Sequence, residues 1–209
     1  MSDKRVVHLI GNGDHAQLYK PAKGIKVTCN MPPFEIHDVF ATVMVDFKMM
    51  KALSEGSLNL DSMKWVLGWR PQKWMEMKPN FYMKYAKNIR SFYTHLPEYA
   101  GRGGQGYTNF NCGHMATHYC ANALKADEIH MYGFDSLFDL NMNSITDFYL
   151  QSDRTQVNNH RLIENWRPVW QGIFNEFKDT KFILYHKHDA IKFAVPDNVS
   201  IDTSRSTKK

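Results

Sequence analysis

The chain has 209 residues, 43% of them hydrophobic, with 26 basic and 21 acidic side chains and a net charge of +5. This composition suits one folded domain with a sizeable core and is too apolar for a disordered chain. No apolar run approaches the roughly 20 residues that a membrane-crossing helix needs, and no stripe of lysine and arginine marks a nucleic-acid face.

Three cysteines, Cys29, Cys112 and Cys120, lack C-x-x-C spacing and make neither a disulfide framework nor a zinc knuckle. With no secretory segment before the first strand, the chain reads as a reduced, cytoplasmic protein. Its modest positive balance suits an anionic small molecule such as a nucleotide. Residues 1–202 are expected to form a single nucleotide-binding α/β domain, and 203–209 a frayed, polar, basic tail.

In chain order, Arg5–Ile10 is a short apolar run that stops at Gly11-Asn12-Gly13. Runs of this kind, without strict alternation, fit a strand buried on both faces of a parallel sheet. A second run, Ile25–Cys29, ends at Asn30, and a third, Val39–Val45, ends at Asp46. Two more follow at Glu128–Tyr132 and Lys181–His186. Helical spacing appears over 114–125, and over 160–177, where Pro168 implies a kink or a later start. The stretch 55–110 is rich in aromatics and shows no clean period. It reads as an irregular insertion with one or two helices and a strand near 89–93, ending in the flexible Gly101–Gly106 segment. Strands alternating with helices predict a Rossmann-like, mostly parallel sheet with helices on both faces. Ligands of such sheets bind at the C-terminal ends of the strands.

Several motifs fall at those ends. Gly11-Asn12-Gly13-Asp14-His15-Ala16 has the form of a dinucleotide fingerprint, in which glycines let the backbone approach a phosphate. A tight turn needing glycine φ angles explains the same residues. Asn30 occupies the place where a dinucleotide site carries Asp or Glu, which argues against ordinary NAD binding. Asn30 and Asp46 serve either as turn residues or as contacts to a sugar or base. Asn111-Cys112-Gly113 opens a helix and either cradles a phosphate or caps the helix. His114 and His118 stand four residues apart without a Glu or a third ligand, so no metal site is expected. His160 is either a capping or surface residue ahead of the last long helix or a general base.

Taken together, strand–Gly-Asn-Gly, strand–Cys-Asn and Asn-Cys-Gly before the block Thr117–Asp135 resemble glycosyltransferase family 42, the bacterial lipooligosaccharide sialyltransferases. The same block resembles the related domain-of-unknown-function 115 proteins, which include archaeal pterin pyrophosphokinases. The resemblance covers the two ends of the chain and not its aromatic middle. It implies a metal-independent transferase using a nucleotide-sugar and a hydroxyl acceptor. In that reading Gly11, Asn12 and Gly13 lie against the phosphates, Asn30 and Asp46 contact the nucleotide, and Asn111, Cys112 and Gly113 line the donor pocket. His160 falls at the catalytic base, and Tyr132 and Tyr149 are candidates for a tyrosine pair at the leaving phosphate. Backbone N–H groups of Gly13 and Gly113 would stabilise that phosphate. The chain departs from the family at Asp14-His15, where the motif continues Pro-Ser, and at Asp46, where the sialyltransferases tend to have Asn. The pterin relatives imply a Mg²⁺-dependent pyrophosphoryl transfer with Asp14 or Asp46 as ligand. A catalytically inactive nucleotide-sequestering protein of phage origin is the non-enzyme alternative.

Overall fold

The computed structural model describes residues 4–139, 144, 150, 156–191 and 193–205, without the side chains of 156–163. Eight strands form one sheet: β1 (Val6–Ile10), β2 (Ile25–Cys29), β3 (Val39–Met44), β4 (Trp65–Leu67), β5 (Ile89–Phe92), β6 (Glu128–Tyr132), β7 (Lys181–Tyr185) and β8 (Val199–Asp202). Their order is β5-β4-β3-β2-β1-β6-β7-β8, and every neighbouring pair is parallel. The chain starts at the centre of the sheet, builds outward to β5, and returns on the other side of β1 to lay down β6. The gap between the ends of β1 and β6 is therefore a topological switch point, where the connections leave in opposite directions and open a crevice.

Among the described residues there are six helices: α1 (Phe47–Glu55), α2 (Trp69–Met77), α3 (Pro79–Tyr85), α4 (Gly103–Asn109), α5 (Cys112–Asn122) and α6 (Gln156–Glu176). Strand alternation sends side chains to two faces. Leu9, Val27, Cys29, Val43, Met131 and Leu184 pack on one face with Ala116 and Cys120 of α5 and Trp170 and Ile173 of α6. Met44, Trp65 and Leu67 point the other way, into a core with Met49, Met50 and Leu53 of α1, Met75 of α2 and Phe81 of α3. Both faces are covered, so the strands can be apolar throughout. Each large side chain taken from water contributes about 1.5–3 kcal/mol.

The aromatic stretch 55–110 is woven into this sheet, carrying β4, α2, α3, β5 and α4. Its aromatics lack a single period because Trp65 belongs to a three-residue strand while Phe81 and Tyr85 belong to a short helix beneath it. The glycine-rich segment enters α4 at Gly103. Helix α6 spans Gln156–Glu176 with Pro168 inside it, so the later start is overturned, and His160 lies within the helix rather than ahead of it. Arg205, expected in the frayed tail, lies over the Tyr185 ring with its guanidinium carbon 4.4 Å from the centroid. None of the helices found among the described residues is long and apolar enough to cross a membrane.

Candidate functional site

A cleft of about 120 Å³ opens at the C-terminal ends of the central strands. Its floor is the turn after β1, Gly11-Asn12-Gly13, beside the turn after β6, Gly133-Phe134-Asp135. Asn30 after β2 and Asp46 after β3 form one wall, the N-terminus of α5 at Asn111-Cys112-Gly113 another, and Trp166 and Trp170 of α6 a third. The structure thus brings the eight residues from Gly11 to Gly113 that the sequence singled out to one place. The side chain of His160 lies outside the described residues, as does Tyr149. Tyr132 is fully buried, on the sheet face where its ring stacks on Tyr185 at 4.4 Å. It belongs to the core and does not line the cleft, so the tyrosine-pair expectation fails for it.

The glycines of the floor answer to each other first. Gly11 N–H donates to Tyr132 O at 2.7 Å and Gly13 N–H to Gly133 O at 3.0 Å. A Cβ on Gly11 would sit 2.7 Å from Gly133 O, and one on Gly13 would sit 2.7 Å from Asp135 Oδ2 and 2.8 Å from Gly133 O. Gly13 has an ordinary φ of −75°, so backbone proximity and not a special dihedral selects glycine there. The expectation that Gly13 N–H faces a phosphate is corrected by the same geometry, since the neighbouring turn already accepts from it.

The free donors lie at α5. Asn111 caps this helix, accepting from His114 N–H at 3.0 Å, while His114 Nδ1 accepts from Asn111 N–H at 3.1 Å. This reciprocal box uses the third N–H of the helix. Cys112 and Gly113, the first two helical residues, have no preceding turn to accept from their N–H groups, and the helix dipole adds positive potential at the cleft. Because His114 Nδ1 is an acceptor, Nε2 carries the proton and donates to Trp166 O at 3.2 Å. Burial pushes the His114 pKa down to about 3, keeping the ring neutral. The Cys112 thiol donates to Val43 O at 3.0 Å. Contact with Cys29, then burial, raises its pKa well above the usual value, so it is packing and not a nucleophile.

Asn30 adopts a left-handed φ of 56°, unusual outside glycine. Its Nδ2 donates to Asn12 Oδ1 at 3.4 Å and Asn12 Nδ2 donates to Met31 O at 2.7 Å, tying the first two strand ends together. Asn30 Oδ1 is buried without a partner. Asp46 is paired with Arg70 at 3.3 Å, which occupies one face of its carboxylate.

His114 and His118 do not converge. His118 shares a hydrogen bond with Tyr93 through Nδ1 at 2.6 Å, and its Nε2 meets Glu176 at 3.2 Å. A different set does converge on the cleft edge: His15 after β1, Asp135 after β6 and His186 directly after β7, with Asp139 and His188 beside them. Sequence reasoning missed it because these residues come from three connections, His15 lying 120 positions before Asp135 and His186 a further 51 beyond it. The only available signal was histidine and aspartate recurring just past strand ends.

No protein-family model matches the chain, and comparisons with curated proteins and with solved structures give no match. The site therefore has to be interpreted from its own geometry.

Proposed function

We propose that the cleft binds a nucleotide-sugar and that the chain transfers the sugar to a hydroxyl acceptor. The observation that carries this reading is the meeting of Asn12, Asn30 and the α5 N-terminus in one crevice at the switch point between β1 and β6. Such crevices suit a phosphate at a helix N-terminus with its nucleoside laid across the adjoining strand ends. The N–H groups of Cys112 and Gly113 would receive the phosphate oxygens, Lys48 on the lining adds a cation, and the unpartnered Oδ1 of Asn30 would accept from the sugar or base.

In the transfer step the acceptor oxygen bonds to the anomeric carbon as the carbon–phosphate-oxygen bond breaks. The electron pair leaves on the phosphate, where the α5 N-terminus stabilises the growing charge. His160 takes the acceptor proton, as the resemblance to the sialyltransferases implies. It belongs to the helix that supplies Trp166 and Trp170 to the cleft, six residues and about 9 Å of rise from Trp166. The transfer itself, in this reading, uses no metal.

Thermal unfolding against CMP, UDP, GDP, ADP, ATP and NAD, with and without Mg²⁺, tests the site. A ligand at 100 times its Kd adds about 2.7 kcal/mol. Metal-independent stabilisation by a nucleoside mono- or diphosphate supports the reading and names the donor class. A response only to triphosphate with Mg²⁺ replaces it with pyrophosphoryl transfer, and no response to any of them removes the nucleotide site. His160→Ala should then abolish turnover and leave donor binding intact. Binding without turnover in the wild type would identify a sequestering protein instead.

A further inference from the structure

We infer that His15, Asp135 and His186 form a binding site for one divalent transition-metal cation of the zinc type, with its open coordination position facing the cleft. Neither the resemblance nor the nucleotide reading calls for such an ion, and the inference stands whether or not the cleft takes a nucleotide.

Three connections deliver the ligands. The short turn Asp14–Leu18 carries His15, the turn after β6 carries Asp135, and the residue directly after β7 is His186. Their side chains are 14%, 7% and 0% exposed. One ligand atom from each, an imidazole nitrogen of either histidine and a carboxylate oxygen, lies within 4.8 Å of the other two. His15 Nδ1 is 3.0 Å from Asp135 Oδ1, and neither atom has a hydrogen-bond partner with acceptable alignment. His186 Nε2 is likewise buried without a hydrogen bond, with Asp139 3.6 Å away. Buried polar atoms without well-aligned hydrogen bonds are costly, and a cation among the three would bond them all.

One separation already matches an ion's shell: bonds of about 2.0–2.1 Å in a tetrahedral shell place ligand atoms about 3.3 Å apart, and His15 Nδ1 is 3.0 Å from Asp135 Oδ1. The His15 and His186 rings lie face against face, centroids 3.8 Å apart and tilted by 31°, so binding would turn one ring to bring both nitrogens to the ion. The surrounding groups orient the ligands as metal sites do. His186 Nδ1 lies 3.2 Å from His188 O and 3.3 Å from His188 N; the site uses the tautomer in which Nδ1–H donates to the carbonyl, which leaves the Nε2 lone pair for the ion. The Phe138 ring stacks on His186 at 4.0 Å and nearly parallel, fixing its plane. His15 N–H donates to Asp135 Oδ2 at 3.3 Å, leaving Oδ1 for the ion. Two imidazoles and one carboxylate suit zinc and its neighbours far better than magnesium. Three protein ligands leave a fourth position, and Asp135 lines the cleft, so that position takes water or an anionic ligand oxygen.

Asp139 and His188 flank His186, with contacts of 3.6 Å from Asp139 to His186 Nε2 and 3.4 Å from Asp139 to His188 Nε2. They give the experiment its internal control. Untagged protein is stripped with chelator and titrated with Zn²⁺ by calorimetry, and separately with Co²⁺ by visible absorption. The expected result is one Zn²⁺ per chain, tetrahedral Co²⁺ bands, and at least about a 100-fold loss of affinity in His15→Gln and Asp135→Asn. Asp139→Asn and His188→Gln should lose much less. Absence of Zn²⁺ binding by the wild type overturns the inference, as does binding that survives His15→Gln and Asp135→Asn. Should those variants fail to fold, the wild-type Co²⁺ spectrum decides, and octahedral bands or none refute the site.

Discussion

Replacing His114 by glutamine separates the two jobs of this residue. The unfolded side chain titrates near the ordinary 6.5, whereas burial holds the folded one neutral down to about 3. Between those values the unfolded state binds the extra proton, so the contribution is present in full above pH 6.5 and is lost as pH falls below it. Relative to neutral pH, the protein should lose about 1.4 kcal/mol by pH 5.5 and about 2.7 kcal/mol by pH 4.5 from this group alone. Glutamine is the usual residue at the third helical position of a capping box, so it keeps a partner for Asn111 N–H and does not titrate. The variant gives up the donation to Trp166 O and the ring contact with Trp170 at 4.4 Å, and its stability at pH 7.5 should be lower. Its pH curve should nonetheless be flatter. Urea unfolding followed by circular dichroism at pH 7.5 and 5.5 measures this, and His118, also held low by burial, cancels in the difference. Parallel curves for wild type and variant would refute the buried neutral imidazole.

Gly13→Ala should lower the unfolding midpoint by an amount matching about 1–3 kcal/mol, since its Cβ would meet Asp135 and Gly133 O within 2.8 Å; an unchanged midpoint would show that the two turns slide apart freely. Gly172→Ala drives a Cβ to within 2.4 Å of the Tyr99 ring and should destabilise by a similar amount, and in a Tyr99→Ala background the penalty should largely vanish. Denaturant titration of the four proteins checks it, and strict additivity sinks the account. Cys29, Cys112 and Cys120 are all free and buried, so a thiol reagent should label none of them in the native protein within minutes and all three in urea. Rapid native labelling would contradict the packing. Arg70→Ala removes a pair whose side chains are about a quarter exposed and should change stability by less than about 1 kcal/mol in the same titration; a loss several times larger would show that the pair is effectively buried.

The central strands were legible because β1, β2, β3, β6 and β7 are buried on both faces and each ends at a glycine or polar residue. Those endings also exposed the cleft, since parallel strands bring all their C-terminal ends to one edge. Strand β4 was not legible. Trp65-Val66-Leu67 is too short to show a period, and its membership in the sheet depends on pairing with β3. Strand β8 escaped for a related reason, because Val199–Asp202 is only partly buried and gains its identity from β7. Helix α1 hid behind Asp46, which reads as a strand-end residue and also precedes the first helical turn. The glycines of the first turn were read correctly as special, but their cause lay 120 positions away in Gly133, beyond the reach of any local pattern.

The interlock of Gly11 and Gly13 with Gly133 has a consequence for how this cleft can change over evolutionary time. Its floor is main chain set against main chain, so side-chain replacement cannot reshape it without breaking both turns together. A ligand meets atoms already fixed before it arrives, and ordering the floor adds nothing unfavourable to association. Discrimination between one ligand and another therefore falls to the rim, where Asp46 and Lys48 at the start of α1 and Ser136 after β6 present side chains that can be exchanged one at a time.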